Sequence, residues 1–409
     1  MRSRRSFLPR SRFLPCLPGR KGGNAAALAA LVLVAGAFAL PVSASVTAGE
    51  PGTGSWRTVP GPAVPASDSA NLTALAMAGP SLGWASGFTL SNTVQNAPFE
   101  PLLGAWNGHR WRTVRVSIGT ATAGRLDGLA AASATDVWAV GSAYTSDTTG
   151  QPLIEHWNGR RWARVPAPGV TGWPYSSLAG VAVHSGGDAW AVGWADKPGA
   201  MRPLIEHWDG HRWRLVPVPD VGPDVELGGV TVAADGQAWA VGVPFENSRR
   251  PLVLHWTGHA WVAAPTPEAD GDVMLSAVTA MGPDDVWAVG TISADSGAYR
   301  PYAMRWNGQR WAPVSVPDRG PASDDRGFQS VTSLGGGRLA AVGSDQGPTA
   351  GGALYGVWNG RAWSVSLGPL SRKSTGLNAV AYDGQHAIWA VGSVTVSQQA
   401  FAPVVQVNR

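Results

Sequence analysis

Short apolar runs separated by polar, glycine-rich turns recur along the chain with a period near 50 residues, the spacing of propeller or solenoid repeats. One run ends in Trp-Ala-Val-Gly or a variant, seven times over: Trp84-Ala85-Ser86-Gly87, Trp138 to Gly141, Trp190 to Gly193, Trp239 to Gly242, Trp287 to Gly290, a degenerate Ala340-Ala341-Val342-Gly343, and Trp389 to Gly392. Ahead of each lies a run with a small third residue, as in Leu126-Asp127-Gly128-Leu129 and Leu377-Asn378-Ala379-Val380. Behind it comes Trp-X-Gly-X-X-Trp, at Trp106/Trp111, Trp157/Trp162, Trp208/Trp213, Trp256/Trp261, Trp306/Trp311 and Trp358/Trp363. Runs of this length bounded by turn residues read as strands, and the tryptophan motif reads as a hairpin. In chain order they are strands A, B, C and D of a four-stranded antiparallel blade. Small residues in strand A suit the crowded innermost strand beside a central axis.

The hairpin has two readings. With Asn158-Gly159 as a two-residue turn, Trp157 and Trp162 are diagonal neighbours; with a four-residue loop they are directly opposed. Either way both indoles share one sheet face and point into a layer between blades. The chain ends bear on closure. The last unit has strand A near Leu377, strand B at Trp389 and strand C at Pro403-Val404-Val405-Gln406-Val407, but no strand D before Arg409. A lone strand D, Ser55-Trp56-Arg57-Thr58-Val59-Pro60, precedes the first strand A. Joining the two completes the last blade, as a closed ring requires and an open solenoid does not. The expected fold is all-β, a seven-bladed β-propeller over residues 55–409 with its ring closed by an N-terminal strand in the last blade.

Residues 1–44 are a different object: seven basic residues and no acidic ones, an apolar run from Ala25 to Leu40, then Val42-Ser43-Ala44, a small-X-small cleavage pattern. They read as a signal peptide, with 45–54 a short linker. Ser3-Arg4-Arg5-Ser6-Phe7-Leu8 resembles the twin-arginine export motif. About 19 residues separate the arginines from the apolar run, so ordinary secretion fits as well.

Setting the leader aside reverses the charge inference. The chain has 31 basic and 27 acidic residues, but residues 45–409 keep only 24 of the basic ones. A net charge of about −3 argues against a nucleic-acid partner. The one cysteine, Cys16, lies in the leader, so the exported chain has no disulfide or thiolate chemistry. No second apolar run is long enough to span a bilayer. A secreted or extracellular bacterial monomer is expected, with cell-wall association an open alternative.

The repeats resemble those of BNR or Asp-box propellers and the related photosystem-assembly-factor-like group. The shared element is the Gly-X-X-Trp turn, as in Gly159-Arg160-Arg161-Trp162. The Asp of the Asp-box pattern would fall on Trp157 and its Ser on Glu155, so the hallmark turn is half present and the family's enzyme activities do not carry over. The arginine triad and Tyr/Glu pair of the sialidases in that group have no assignable counterpart.

Nineteen of the 21 tryptophans belong to the hairpins, the Trp-Ala-Val-Gly strands or the lone strand D. The other two, Trp173 (with Tyr175) and Trp194, fall in the D–A and B–C connections of the third unit. In this topology those connections share one face, and their length and variability mark them as binding loops. Tyr144, Phe245 and Tyr299, with Phe88, Phe99 and Phe401, fall around the same face. Together they read as a platform for sugar rings or an anchor for a protein, or as side chains folded back over loop cores.

Glu155-His156, Glu206-His207 and His255 repeat at one strand C position and so sit too far apart for one metal ion. Acidic loop residues such as Asp220, Asp224, Glu226, Asp324 and Asp325 read first as solvated. No catalytic residue, metal ligand or cofactor is assigned. The function read from this pattern is an exported non-catalytic module binding a glycan, cell-wall component or protein through the B–C/D–A face. The alternative is a propeller glycoside hydrolase or lyase with carboxylates in the central funnel.

Overall fold

Each repeat unit folds into strands where its alternation predicts them. The computed structural model describes residues 55–409 except 95–96, 147–148, 186, 246–248, 294–296, 348–350, 369–373 and 398–399. The leader 1–44 and linker 45–54 lie outside the described residues. In the first unit Asp68–Met77, Gly83–Ser91, Glu100–Trp106 and Trp111–Val114 follow one another across one antiparallel sheet, as strands A to D. The units from Val225–Val232 to Trp261–Ala263, from Val273–Gly282 to Trp311–Val314 and from Asp325–Gly335 to Trp363–Leu367 repeat that order. Ala123–Ser133 to Trp162–Arg164 and Tyr175–Ser185 to Trp213–Leu215 are two more such sets, joined as an eight-stranded sheet by one parallel bridge, Tyr175 to Gly150. In the last sheet Arg57–Val59 pairs antiparallel with Phe401–Asn408, Arg57 opposite Val407, beside Ile388–Thr395 and Thr375–Tyr382. Among the described residues no helix occurs; the fold is all-β, multi-bladed and propeller-like.

The small residue of strand A has a local cause. Every A–B pair carries a bulge just before it, between Leu126 and Gly128 or Leu377 and Ala379 for example. The bulge brings neighbouring A strands together: a Cβ on Gly128 would meet the Ala179 carbonyl at 3.0 Å and the Gly180 Cα at 3.1 Å. It also brings strand A against the glycine that closes Trp-Ala-Val-Gly, where a Cβ on Gly193 would collide with the Ser177 carbonyl and sit 2.8 Å from the Leu178 Cα. Gly193→Ala is therefore expected to cost about 1–3 kcal/mol, because backbone rather than a side-chain tip must move. Urea unfolding checks this, and an unchanged midpoint would remove the close approach as the reason for the glycine.

The hairpin resolves to the directly opposed reading. Trp157 pairs with Trp162, and the Asn158 N–H donates to the Arg161 carbonyl. The Asn158 Oδ1 accepts the N–H groups of Arg160 and Arg161, and Gly159 takes φ of +87°, which explains the Asn-Gly of the motif. Both indoles point across to the strand B tryptophan of the preceding unit. Trp138 lies 4.9 Å from Trp208 and 5.2 Å from Trp213 between ring centroids; Trp190 lies 4.8 Å from Trp256 and 5.1 Å from Trp261. Trp389 of the last unit makes the same contacts to the first, at 4.9 Å from Trp106 and 6.2 Å from Trp111. These strand B tryptophans are almost wholly buried, and the layers between sheets form the core. Where Ala340 replaces the tryptophan, Trp56 stacks on Tyr355 at 4.8 Å, and the Tyr355 hydroxyl donates to the Gln406 Oε1.

A second regularity went unread in the sequence. Strand D leaves strand C early, its continuation ending at bonds such as Val216 N–H to the Ile205 carbonyl. Two residues upstream, at the next outward-facing position of strand C, stands Pro203, with Pro101, Pro152, Pro301 and Pro403 in the same register elsewhere. A proline has no N–H to leave exposed, so the uncovered edge offers no template for another strand.

Candidate functional site

The third unit positions the aromatic residues by its strand ends. Tyr175 opens strand A, and Trp194 lies on strand B opposite Ser177. Tyr144 lies on strand B of the second unit, beside Gly150, whose bridge to Tyr175 draws the two units together. The three rings consequently form a near-parallel stack: Tyr144 to Tyr175 at 5.5 Å and 26°, Tyr175 to Trp194 at 4.9 Å and 17°. Tyr175 is held between the other two, so its faces are spent on them. Tyr144 and Trp194, at the two ends of the stack, are both half-buried.

A charged pair missed in the sequence sits beside the stack. Arg125, on strand A of the second unit, binds Asp127 through Nε at 2.8 Å and Nη2 at 2.5 Å, and its guanidinium lies 4.9 Å from the Phe88 ring centroid. Both side chains are at least nine-tenths buried. The available signal was an Arg-X-Asp in strand A where the first and third units have Asn71-Leu72-Thr73 and Ser177-Leu178-Ala179. The Ser142 hydroxyl donates to the Tyr144 hydroxyl at 2.6 Å. Burial raises both tyrosine pKa values, and for Tyr175 the neighbouring Tyr144 adds to it, so both are neutral phenols at physiological pH.

On the other side of Arg125, Phe88 meets Phe99 at 4.9 Å and Phe401 at 6.2 Å, each edge to face. The last, first, second and third units thus contribute to one aromatic arc. Trp173 keeps different company: Lys197 Nζ lies 4.7 Å and Arg202 Cζ 4.5 Å from its ring, and it packs against the cluster that contains Val170. Phe245 follows strand B of the fourth unit and donates its N–H to the Asp224 carbonyl; Tyr299 opens strand C of the fifth and donates its N–H to the Asp325 Oδ1.

Several loop acids are structural rather than solvated. Asp224, at φ of +52°, accepts the Met201 N–H through Oδ1, and Asp325 does the same for Tyr299. Asp318 joins Arg300 and Arg326 at 2.7 and 2.8 Å, and Arg326 also reaches buried Asp345 at 3.4 Å. Together these bonds hold the connection into the sixth unit. The histidines are scaffold too. His156, His207 and His255 stack on Trp138, Trp190 and Trp239 of their own sheets, while Asp136, Asp188 and Gln237 bind their Nε2 atoms.

No family model matches the chain, and no curated protein matches it. Among solved structures, a crystal structure of a protein of unknown function from Dyadobacter fermentans is similar over 84% of this chain and 95% of its own, at 7% identity and a TM-score of 0.49.

Proposed function

We propose that the chain is a seven-bladed β-propeller closed by its N-terminal strand, and that it serves as an exported, non-catalytic module binding a glycan, a cell-wall component or a protein through its B–C/D–A face. Closure is supported by contacts that treat the last and first units like any other neighbours. Asn378 Nδ2 donates to the Leu72 carbonyl at 2.8 Å, as the Thr73 hydroxyl donates to the Leu126 carbonyl at 2.7 Å. The Phe401 N–H reaches Ser69 Oγ across the same seam. Export rests on the leader sequence alone, and kinship with Asp-box propellers on the Gly-X-X-Trp turn.

The observation that carries the binding function is the aromatic arc with Arg125 at its centre, gathered on one face from four units. Rigid aromatic side chains with few polar partners among them give area for recognition at low entropic cost. The use of Asp224, Asp318 and Asp325 as backbone and arginine anchors favours binding over glycoside hydrolysis. Tryptophan fluorescence and thermal shift against glycans and cell-wall fragments test this, with Trp194→Ala and Trp173→Ala beside the native protein. Binding is expected to fall at least tenfold in Trp194→Ala, which removes one end of the stack, and less in Trp173→Ala. A ligand bound equally by both folded variants would move the site off this face.

A further inference from the structure

The exposed arginines are distributed unevenly over the units. Strand D and the turn before it, at 107–115, 158–164 and 209–215, hold eight arginines and one acid, Asp209, in the first three units. The matching stretches of the other four hold Arg57, Arg310 and Arg361. All eight are exposed. Arg214 pairs with Asp209 at 2.5 Å, and Arg164 Nη1 donates to the Ile118 carbonyl at 3.0 Å. Arg110, Arg112, Arg115, Arg160, Arg161 and Arg212 form no ion pair among the described residues. Asp136 and Asp188, on the strands behind, are already held by His156 and His207.

We propose that this wall, distinct from the aromatic face, docks an extended polyanion bearing repeated phosphate groups, of the kind a phosphodiester wall polymer presents. Like charges gathered within a Debye length of about 8–10 Å repel one another, and a bound polyanion relieves that repulsion while releasing its own counterions. The guanidinium fork matches phosphate oxygens two at a time. Within each of the three units the arginines lie on one short strand and the turn before it, so a flexible chain can engage one set and pass on to the next.

The surroundings separate this partner from two others. Nucleic-acid binding of single strands relies on aromatic platforms among the cations, whereas Trp111 and Trp213 are buried in the layers between sheets and Trp162 faces the same way. A bilayer needs a flat array with apolar anchors; here successive units turn the arginines away from any single plane in the proposed ring, and Leu215 alone is an exposed large apolar residue on these stretches.

The test is binding of long-chain inorganic polyphosphate by titration calorimetry at about 50 and about 300 mM salt, where multi-phosphate contacts weaken steeply. Binding at low salt is expected, falling at least tenfold at high salt. It should fall at least tenfold again in an Arg110→Ser/Arg112→Ser/Arg160→Ser/Arg161→Ser/Arg212→Ser variant, and stay within twofold in Arg310→Ser/Arg361→Ser. Arg160→Glu/Arg161→Glu, confined to one turn, gives the same direction if the larger variant does not fold. No binding at low salt, equal loss in the control, or tighter binding to single-stranded DNA or to phosphatidylglycerol vesicles of matched charge would each overturn the proposal.

Discussion

Replacing Trp389 by alanine is expected to lower the unfolding free energy by about 3–5 kcal/mol, as much as the same change at Trp190. Both indoles are nearly inaccessible, at 1% and 2% exposed. Each lies against the hairpin pair of the next unit, Trp106 and Trp111 for Trp389, Trp256 and Trp261 for Trp190. The loss has two parts: apolar area returned to water, and a cavity that rigid neighbouring sheets cannot close. The comparison matters more than either number, because Trp389 packs across the seam where the chain ends meet. In a closed ring that seam is an ordinary interface and the two costs agree. Denaturant unfolding followed by far-UV circular dichroism, fitted with each variant's own folded and unfolded baselines, measures both. A cost below about 1 kcal/mol at Trp389 beside a full cost at Trp190 would mean that the last and first sheets separate readily in solution, and the proposed closure would fail.

The parts of this fold that could be read beforehand are those that a period enforces. A strand buried on both faces must repeat its apolar run, a bulged inner strand must keep its small residue, and the tight turn after Asn158 needs the freedom of Gly159. The first two leave a mark in all seven units and the turn in six, and repetition made the marks visible. The edge prolines were also periodic, yet their meaning depends on where strand D departs, which only the register reveals. The candidate site was legible in location and not in arrangement. The stacking of Tyr175 between Tyr144 and Trp194 depends on a bridge between units, and the Arg125–Asp127 pair lies inside a run read as scaffold. Sites of this kind are departures from the repeat, one unit at a time, and periodicity carries no information about how such departures meet.

Glu206 repeats the strand C position of Glu155, and removing it is expected to stabilise the protein. Its side chain is wholly buried, with neither carboxylate oxygen hydrogen-bonded, on the sheet face it shares with Trp208 and Trp213. Burial alone pushes its pKa from 4.5 up to about 8. An acid held neutral in the folded chain and ionised in the unfolded one means that the unfolded state binds fewer protons between those values. Stability attributable to Glu206 therefore falls as pH rises from about 4.5 to about 8, and levels off above that. At pH 7 the deficit is about 3 kcal/mol, taking about 1.4 kcal/mol per pH unit. The register names the replacement: Glu206 stands opposite Ala191, where the fourth and fifth units place Leu254 and Met304 opposite Ala240 and Ala288. Glu206→Leu is expected to raise the unfolding free energy at pH 7 by about 3 kcal/mol and to flatten its decline with pH. A shallower decline remains from Glu155, which burial lifts to about 7 against the pull of Arg164. Arg164 lies directly opposite Glu155, but Leu215 occupies that place opposite Glu206. Leu215→Arg should accordingly supply the missing cation, lower the Glu206 pKa and recover part of the same stability with the carboxylate still present. Urea unfolding at about pH 5, 7 and 8.5 distinguishes the cases. If Glu206→Leu leaves the pH dependence unchanged, the carboxyl is solvated in solution and its burial does not set the stability of this layer.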